Sequence, residues 1–238
     1  MAPRAGDAGR QPRLALVTKS GSQPVRGTRA GHRVHHEDPS GGCTVAAAEN
    51  SLRELQTDRL DLLLIHRPDP LLDADEVAEA FGALWAAGKV RAFGVSNFLP
   101  WQFDLLQARL DFPLVTNQIE LSVLALDPLH DGTLDQAQRL RVPPMAWSPL
   151  AGGRLFDDHD ERAGRVRAAL ERVGQEVGGA GVDQVALAWL LRHPARVLPV
   201  LGSGRVERIH AAAMAEALRL DRQQWFAIWE ASAGREVP

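Results

Sequence analysis

The sequence predicts a parallel α/β fold in which strands alternate with helices, and three observations carry that expectation. Four apolar runs stop abruptly on polar side chains: 60–65 on His66, 90–95 on Ser96 and Asn97, 112–116 on Asn117 and Gln118, and 142–147 on Ser148. Short runs that are nearly all apolar suit strands covered on both faces. The segments between them have helical spacing, and repeated strand–helix units argue for a parallel sheet, open or closed. Polar groups at the carboxyl ends of such strands are where these sheets and barrels build their sites, so the pattern also points to an enzyme.

In chain order, 13–18 reads as the first strand and ends on Lys19. Residues 20–42, rich in Gly, Arg, Pro and His, read as a long loop. A helix follows over 44–56 with Val45, Leu52 and Leu55 as its apolar positions, and then the strand 60–65. Asp73 suits the N-cap of a helix running to 87, because its carboxylate can accept from orphan backbone amides. Val77, Phe81, Leu84 and Trp85 then share one face, and Gly88 takes the C-cap role. Strand 90–95 precedes a helix over 100–109 that opens on Pro100, a residue suited to the first helical turn. Strand 114–118, a helix over 134–140 and strand 142–147 lead into the Gly152-Gly153 loop. Helices over 161–177 and 183–193 follow; Val185, Leu187, Ala188, Leu190 and Leu191 make the second broadly apolar. Strand 197–201 runs into Gly202-Ser203-Gly204, and helices over 206–218 and 221–232 close the sequence.

The 238 residues suit one α/β domain or two small ones. With 45% hydrophobic and 24% charged residues the composition is that of an ordinary globular protein. A net charge of −3 gives no electrostatic case for binding nucleic acid or an anionic membrane. Cys43 is the only cysteine, which excludes an internal disulfide and fits a reducing, cytoplasmic setting. No apolar stretch approaches the roughly 20 residues of a membrane span. Residues 1–12 lack an apolar signal core and read as a disordered tail, leaving 13–238 as the folded domain. His32, His35 and His36 lie in the loop without a paired carboxylate or cysteine arrangement, so no metal site is expected there.

The strand ends form an ordered set. Val17-Thr18-Lys19, Thr57-Asp58 followed by Leu62-Leu63-Leu64-Ile65-His66, Gly94-Val95-Ser96-Asn97-Phe98, Asn117-Gln118 and Trp147-Ser148-Pro149-Leu150 together resemble the aldo-keto reductases. His66-Arg67-Pro68-Asp69-Pro70 with Asn97-Phe98-Leu99-Pro100 is most similar to a bacterial branch of predicted oxidoreductases in that family. The resemblance implies a (β/α)8 barrel of the TIM type that reduces small carbonyl substrates with NADP(H), and a monomer. By the same resemblance His66 matches the histidine that orients the carbonyl, and Lys19 matches the lysine that tunes a catalytic tyrosine. Ser96, Asn97 and Gln118 match the groups that hold the nicotinamide carboxamide, Trp147 the aromatic stacked on its ring, and Ser148 and Leu150 the pyrophosphate path. Gly202, Ser203, Gly204 and Arg205 fall where the adenosine phosphates bind, and Arg208 matches a basic residue near the 2′-phosphate.

Elementary chemistry agrees with these roles. Asn97 and Gln118 each offer a donor and an acceptor, as an amide ligand requires. Glycines allow close backbone approach to a phosphate at a helix start, and Arg205 and Arg208 could add charge-assisted hydrogen bonds. Each feature also has a plain structural reading: a satisfied core histidine for His66, a solvated lysine, a turn and helix cap at Ser96-Asn97, a core Trp147.

The sequence departs from the family in containing no tyrosine, although the family's general acid is one. The first strand here resembles the third of the barrel's eight. The expectation is therefore an incomplete barrel of about six strand–helix units lacking the first two, with impaired chemistry and open edges near Leu16 and Val200 through which chains could associate. The alternative is an inactive NADPH-binding module or a non-functional fragment.

Overall fold

The computed structural model describes residues 14–25 and 33–237. The tail expected over 1–12, and His32, lie outside the described residues. Two compact units divide between Asn117 and Gln118.

In the first unit, β1 (Val17–Ser20) leads through the pair β2 (Ser22–Gln23) and β3 (His36–Glu37) into α1 (Gly41–Leu55). Then come β4 (Leu62–Ile65), α2 (Ala74–Ala86), β5 (Phe93–Ser96), α3 (Pro100–Gln107) and β6 (Leu114–Glu120), which runs through the division. Strand β4 pairs in parallel with β1 on one side and β5 on the other, with Leu64 opposite both Lys19 and Gly94. β6 is the next neighbour of β5. Sheet order thus follows chain order, the arrangement of a singly wound barrel rather than of a doubly wound sheet whose order reverses at a switch point.

Leu63, Leu64 and Ile65 are fully buried, as a strand covered on both faces must be. Asp73 caps α2, its Oδ1 accepting from the backbone N–H of Asp75 at 2.9 Å and of Glu76 at 3.3 Å. Pro100 stands in the first turn of α3. Val77, Phe81 and Leu84 of α2 are buried, and Phe81 stacks on Phe93 of β5 with ring centroids 4.1 Å apart. Trp85, expected on that face, is instead 55% exposed. It meets only the rim of the cluster, its ring tilted against Phe112 at 5.4 Å.

The expected strands and helices are present with shifted ends: β1 runs on to Ser20 and β6 to Glu120, so Lys19 and Gln118 lie within their strands, and residues 20–42 are the main correction. They are not one unstructured loop. Ser22 pairs with Glu37 and Gln23 with His36 in an antiparallel ladder, and α1 already begins at Gly41.

In the second unit the latter half of β6 pairs in parallel with β7 (Met145–Trp147), and β7 with β8 (Leu198–Pro199). Around them lie α4 (Thr133–Leu140), α5 (Glu161–Glu176), α6 (Val182–Leu191), α7 (Val206–Met214) and α8 (Arg222–Ala233). The core joins Ile119, Val166, Leu170, Val173, Val185, Trp189, Leu190 and Ile228. Trp189 of α6 and Trp225 of α8 stack at 4.7 Å, and each indole N–H donates to the other residue's carbonyl, at 3.0 and 3.1 Å. Such a pair is worth about 0.5–1.5 kcal/mol beyond its buried area, and here both indole donors are satisfied. The exposed apolar side chains of Val17 and Leu198 mark the outermost strands of the two units.

Gly94 is needed for close packing rather than for its dihedral angles. A Cβ there would stand 2.6 Å from the Thr116 carbonyl oxygen and 2.8 Å from Leu64 Cδ2. Gly94→Ala should therefore cost about 1–3 kcal/mol in urea denaturation. Gly82→Ala in α2, where a Cβ meets nothing within 4 Å, should raise stability by about 0.5–1 kcal/mol in the same assay.

Candidate functional site

In the first unit three neighbouring strands end side by side and present their polar residues together. Lys19 lies beside Leu64, Ser20 beside Ile65, and the backbone N–H of His66 donates to the Ser20 carbonyl at 2.8 Å. The parallel ladder thus fixes the residue that follows β4 against the end of β1. Gly21 turns the chain away at φ +108°, a conformation that an L side chain rarely adopts. The Gly21 carbonyl then accepts from Asp38 N–H at 2.7 Å, holding the β2–β3 pair over the strand ends.

That pair delivers Glu37 to His66. Imidazole Nδ1 lies 3.2 Å from both carboxylate oxygens, and the Glu37 side chain is only 12% exposed. His35, largely exposed, reaches the same carboxylate at 3.8 Å. Lys19 is half-buried, and the pKa of its amine is lowered first by the loss of hydration and then by the positive charge of Arg67. The Ser20 hydroxyl is buried and has no hydrogen-bond partner among the described residues.

At the end of β5, Ser96 is buried and Asn97 takes φ +60°. Asparagine tolerates this left-handed region better than most residues. The Asn97 amide donates to the His66 carbonyl at 3.3 Å and to Ser96 Oγ at 3.0 Å, tying the β4 and β5 ends together. Asn117 plays a structural part, its side-chain amide donating to the Phe98 carbonyl at 2.7 Å.

In the second unit Gln118 is buried in β6 and pairs with Met145, while Trp147, partly buried, ends β7. Ser148 follows at φ +49°, and Leu150 packs on the core. Gly202 and Gly204 face open space, since a Cβ on either would meet no atom within 4 Å. Arg205 N–H donates to Ser203 Oγ at 3.1 Å at the start of α7, a helix without buried residues. The Arg205 guanidinium lies 3.9 Å from Glu207, and Arg208 is exposed in the first turn. Glycines, a helix start and two exposed arginines form a donor set suited to a phosphate group.

The structure therefore gathers Lys19, His66, Ser96 and Asn97 in one unit, and places Gln118, Trp147, Ser148, Leu150 and the 202–208 segment in the other. Glu37 is the site residue that the sequence does not single out. Only the run His35-His36-Glu37 could draw attention to it, and its histidines read there as a metal question. Among the described residues no group of three or more His, Cys, Asp and Glu side chains could hold a metal ion.

Comparison with known proteins decides the lineage. The Aldo/keto reductase family model matches residues 3–233. The chain belongs to the aldo/keto reductase family. Among relatives of this aldo/keto reductase, oxidoreductase YcsN of Bacillus subtilis is 51% identical over 225 residues, 94% of this chain and 75% of its own length. A 6-dehydroglucose reductase of Agrobacterium fabrum is 49% identical, covering 96% of this chain and 76% of its own. A crystal structure of the thermostable aldo-keto reductase Tm1743 with the inhibitor epalrestat superposes with a TM-score of 0.72 at 28% identity. It covers 81% of this chain, which spans 67% of it. The fold is accordingly TIM-barrel-like, with six strands in its main sheet among the described residues. Because the family match runs almost the full chain, it lends no support to the expected loss of a quarter of the fold or to impaired chemistry. No helix of the described residues is long and apolar enough to cross a membrane.

The Lys19 environment can be probed directly, because the sequence holds only one other lysine, Lys89. Arg67→Gln removes the smaller of the two causes that lower the Lys19 pKa. The pKa should rise but stay below the ordinary lysine value, read by NMR titration of 13C-methylated protein.

Proposed function

We propose that the protein is an NADP(H)-dependent oxidoreductase acting on small aldehydes or ketones. The observation that carries this reading is the first-unit cluster, in which a lysine, a histidine and an amide converge at adjacent strand ends in a member of the aldo/keto reductase family. When bound, the reduced cofactor supplies hydride. His66 orients the carbonyl oxygen, and the Lys19 ammonium adds positive charge near the developing alkoxide. Ser96 and Asn97 in the first unit, and Gln118 and Trp147 in the second, keep the nicotinamide-binding roles that the resemblance gives them. Ser148 and Leu150 keep the pyrophosphate role. Gly202, Ser203, Gly204, Arg205 and Arg208 meet the phosphates, and Arg208 favours the 2′-phosphate of NADP(H) over NAD(H). A relative 49% identical is a 6-dehydroglucose reductase, which makes an oxidised hexose the first substrate to assay. We propose that the chain works as a monomer.

A second reading, NADPH binding without turnover, is favoured by one observation: the sequence contains no tyrosine. NADPH oxidation followed spectrophotometrically with an oxidised hexose and simple aldehydes separates the two. Turnover supports the oxidoreductase, and binding without turnover supports the second reading. His66→Ala should lower kcat/KM by about 10²- to 10⁴-fold with NADPH affinity retained. Arg208→Ala should weaken NADPH binding about tenfold and leave NADH unchanged, measured by fluorescence titration.

A further inference from the structure

We propose that Glu37 and His66 form an acid–base pair at this site, Glu37 holding the ring while His66 Nε2 exchanges a proton with the substrate oxygen. This rests on the oxidoreductase reading above.

A carboxylate only accepts hydrogen bonds, so the ring nitrogen lying 3.2 Å from both of its oxygens carries the hydrogen. Nε2 is then the nitrogen that addresses a ligand. The Glu37 carboxylate is largely withdrawn from water, and the β2–β3 ladder and the Asp38–Gly21 hydrogen bond hold its backbone. His66 is anchored through its own backbone at both groups: its N–H donates to Ser20 and its carbonyl accepts from Asn97. The ring is thus fixed in place and in tautomer, the two requirements for a positioned acid or base. His35 lies 3.8 Å from the same carboxylate, Lys19 stands on the adjoining strand end, and Arg67 follows His66 in the chain.

The chemistry balances in both directions. In oxidation, Nε2 takes the hydroxyl proton, the C–H electron pair leaves as hydride to an oxidised nicotinamide, and the C=O double bond forms. In reduction, hydride adds to the carbonyl carbon, the π pair moves to oxygen, and that oxygen takes the Nε2 proton of the imidazolium. With no tyrosine in the sequence, this pair supplies a proton route from the residues present.

The test uses Glu37→Ala, which removes the acceptor, and Glu37→Gln, which keeps an acceptor oxygen. Ring 15N–1H correlation spectra, assigned with His66→Gln, should show the neutral His66 ring with its hydrogen on Nδ1 in the wild type and in E37Q. In E37A it should move to Nε2. In turnover assays E37A should lose about 10²-fold in kcat with an unchanged KM for NADPH, and E37Q should recover part of the loss. An unchanged tautomer in E37A, or an unchanged kcat in E37A beside an active wild type, overturns the pair while the oxidoreductase reading stands. A wild type without turnover overturns that reading, and the proton-exchange role falls with it.

Discussion

The first-unit cluster of Lys19, His66 and Asn97 hangs on β4 being hydrogen-bonded on both sides. An apolar strand of four residues has no means of placing its successor by itself. Clamped between β1 and β5, it carries His66 to one point relative to Lys19 and Asn97. The same clamp explains the apolar run: Leu63, Leu64 and Ile65 face packed side chains on both sides, so any polar residue earlier in the strand would be stranded without a partner. Polarity begins where the ladder ends. Chemistry is concentrated at the strand ends because the strand itself excludes it.

The second constraint is proximity. At Gly94 the backbone of β6 and a Leu64 methyl group come so near that no side chain fits. The β5 end, with Ser96 and Asn97, is therefore drawn in close to its neighbours. The stacked Phe81 and Phe93 hold α2 against the same strand. Stability and site placement in this unit are consequences of the same packing.

Much of this is legible in the residues. The apolar runs and the caps at Asp73 and Pro100 locate strands and helices because burial and orphan amides leave strong local marks. Strand ends are less legible. Leu60 looks like strand interior but makes only an isolated bridge to Val90, and Asp61 spends its carboxylate on the Leu16 N–H and on Arg91. Trp85 has the helical spacing of a core residue yet lies at the edge, since spacing does not say how far a core extends. Glu37 is beyond reach. Two-residue strands leave no periodic pattern, and its partner His66 lies 29 positions away.

The left-handed backbone at Asn97 bears on how such a site drifts over generations. At φ +60° a β-branched or bulky replacement is penalised by its own geometry, before any ligand is considered. The Asn97 amide also bridges Ser96 and His66. The identity of this residue is thus constrained by the chain's own architecture as well as by whatever it binds. A descendant that had abandoned the reaction would still be under pressure to keep asparagine there, so its retention alone says little about whether chemistry persists.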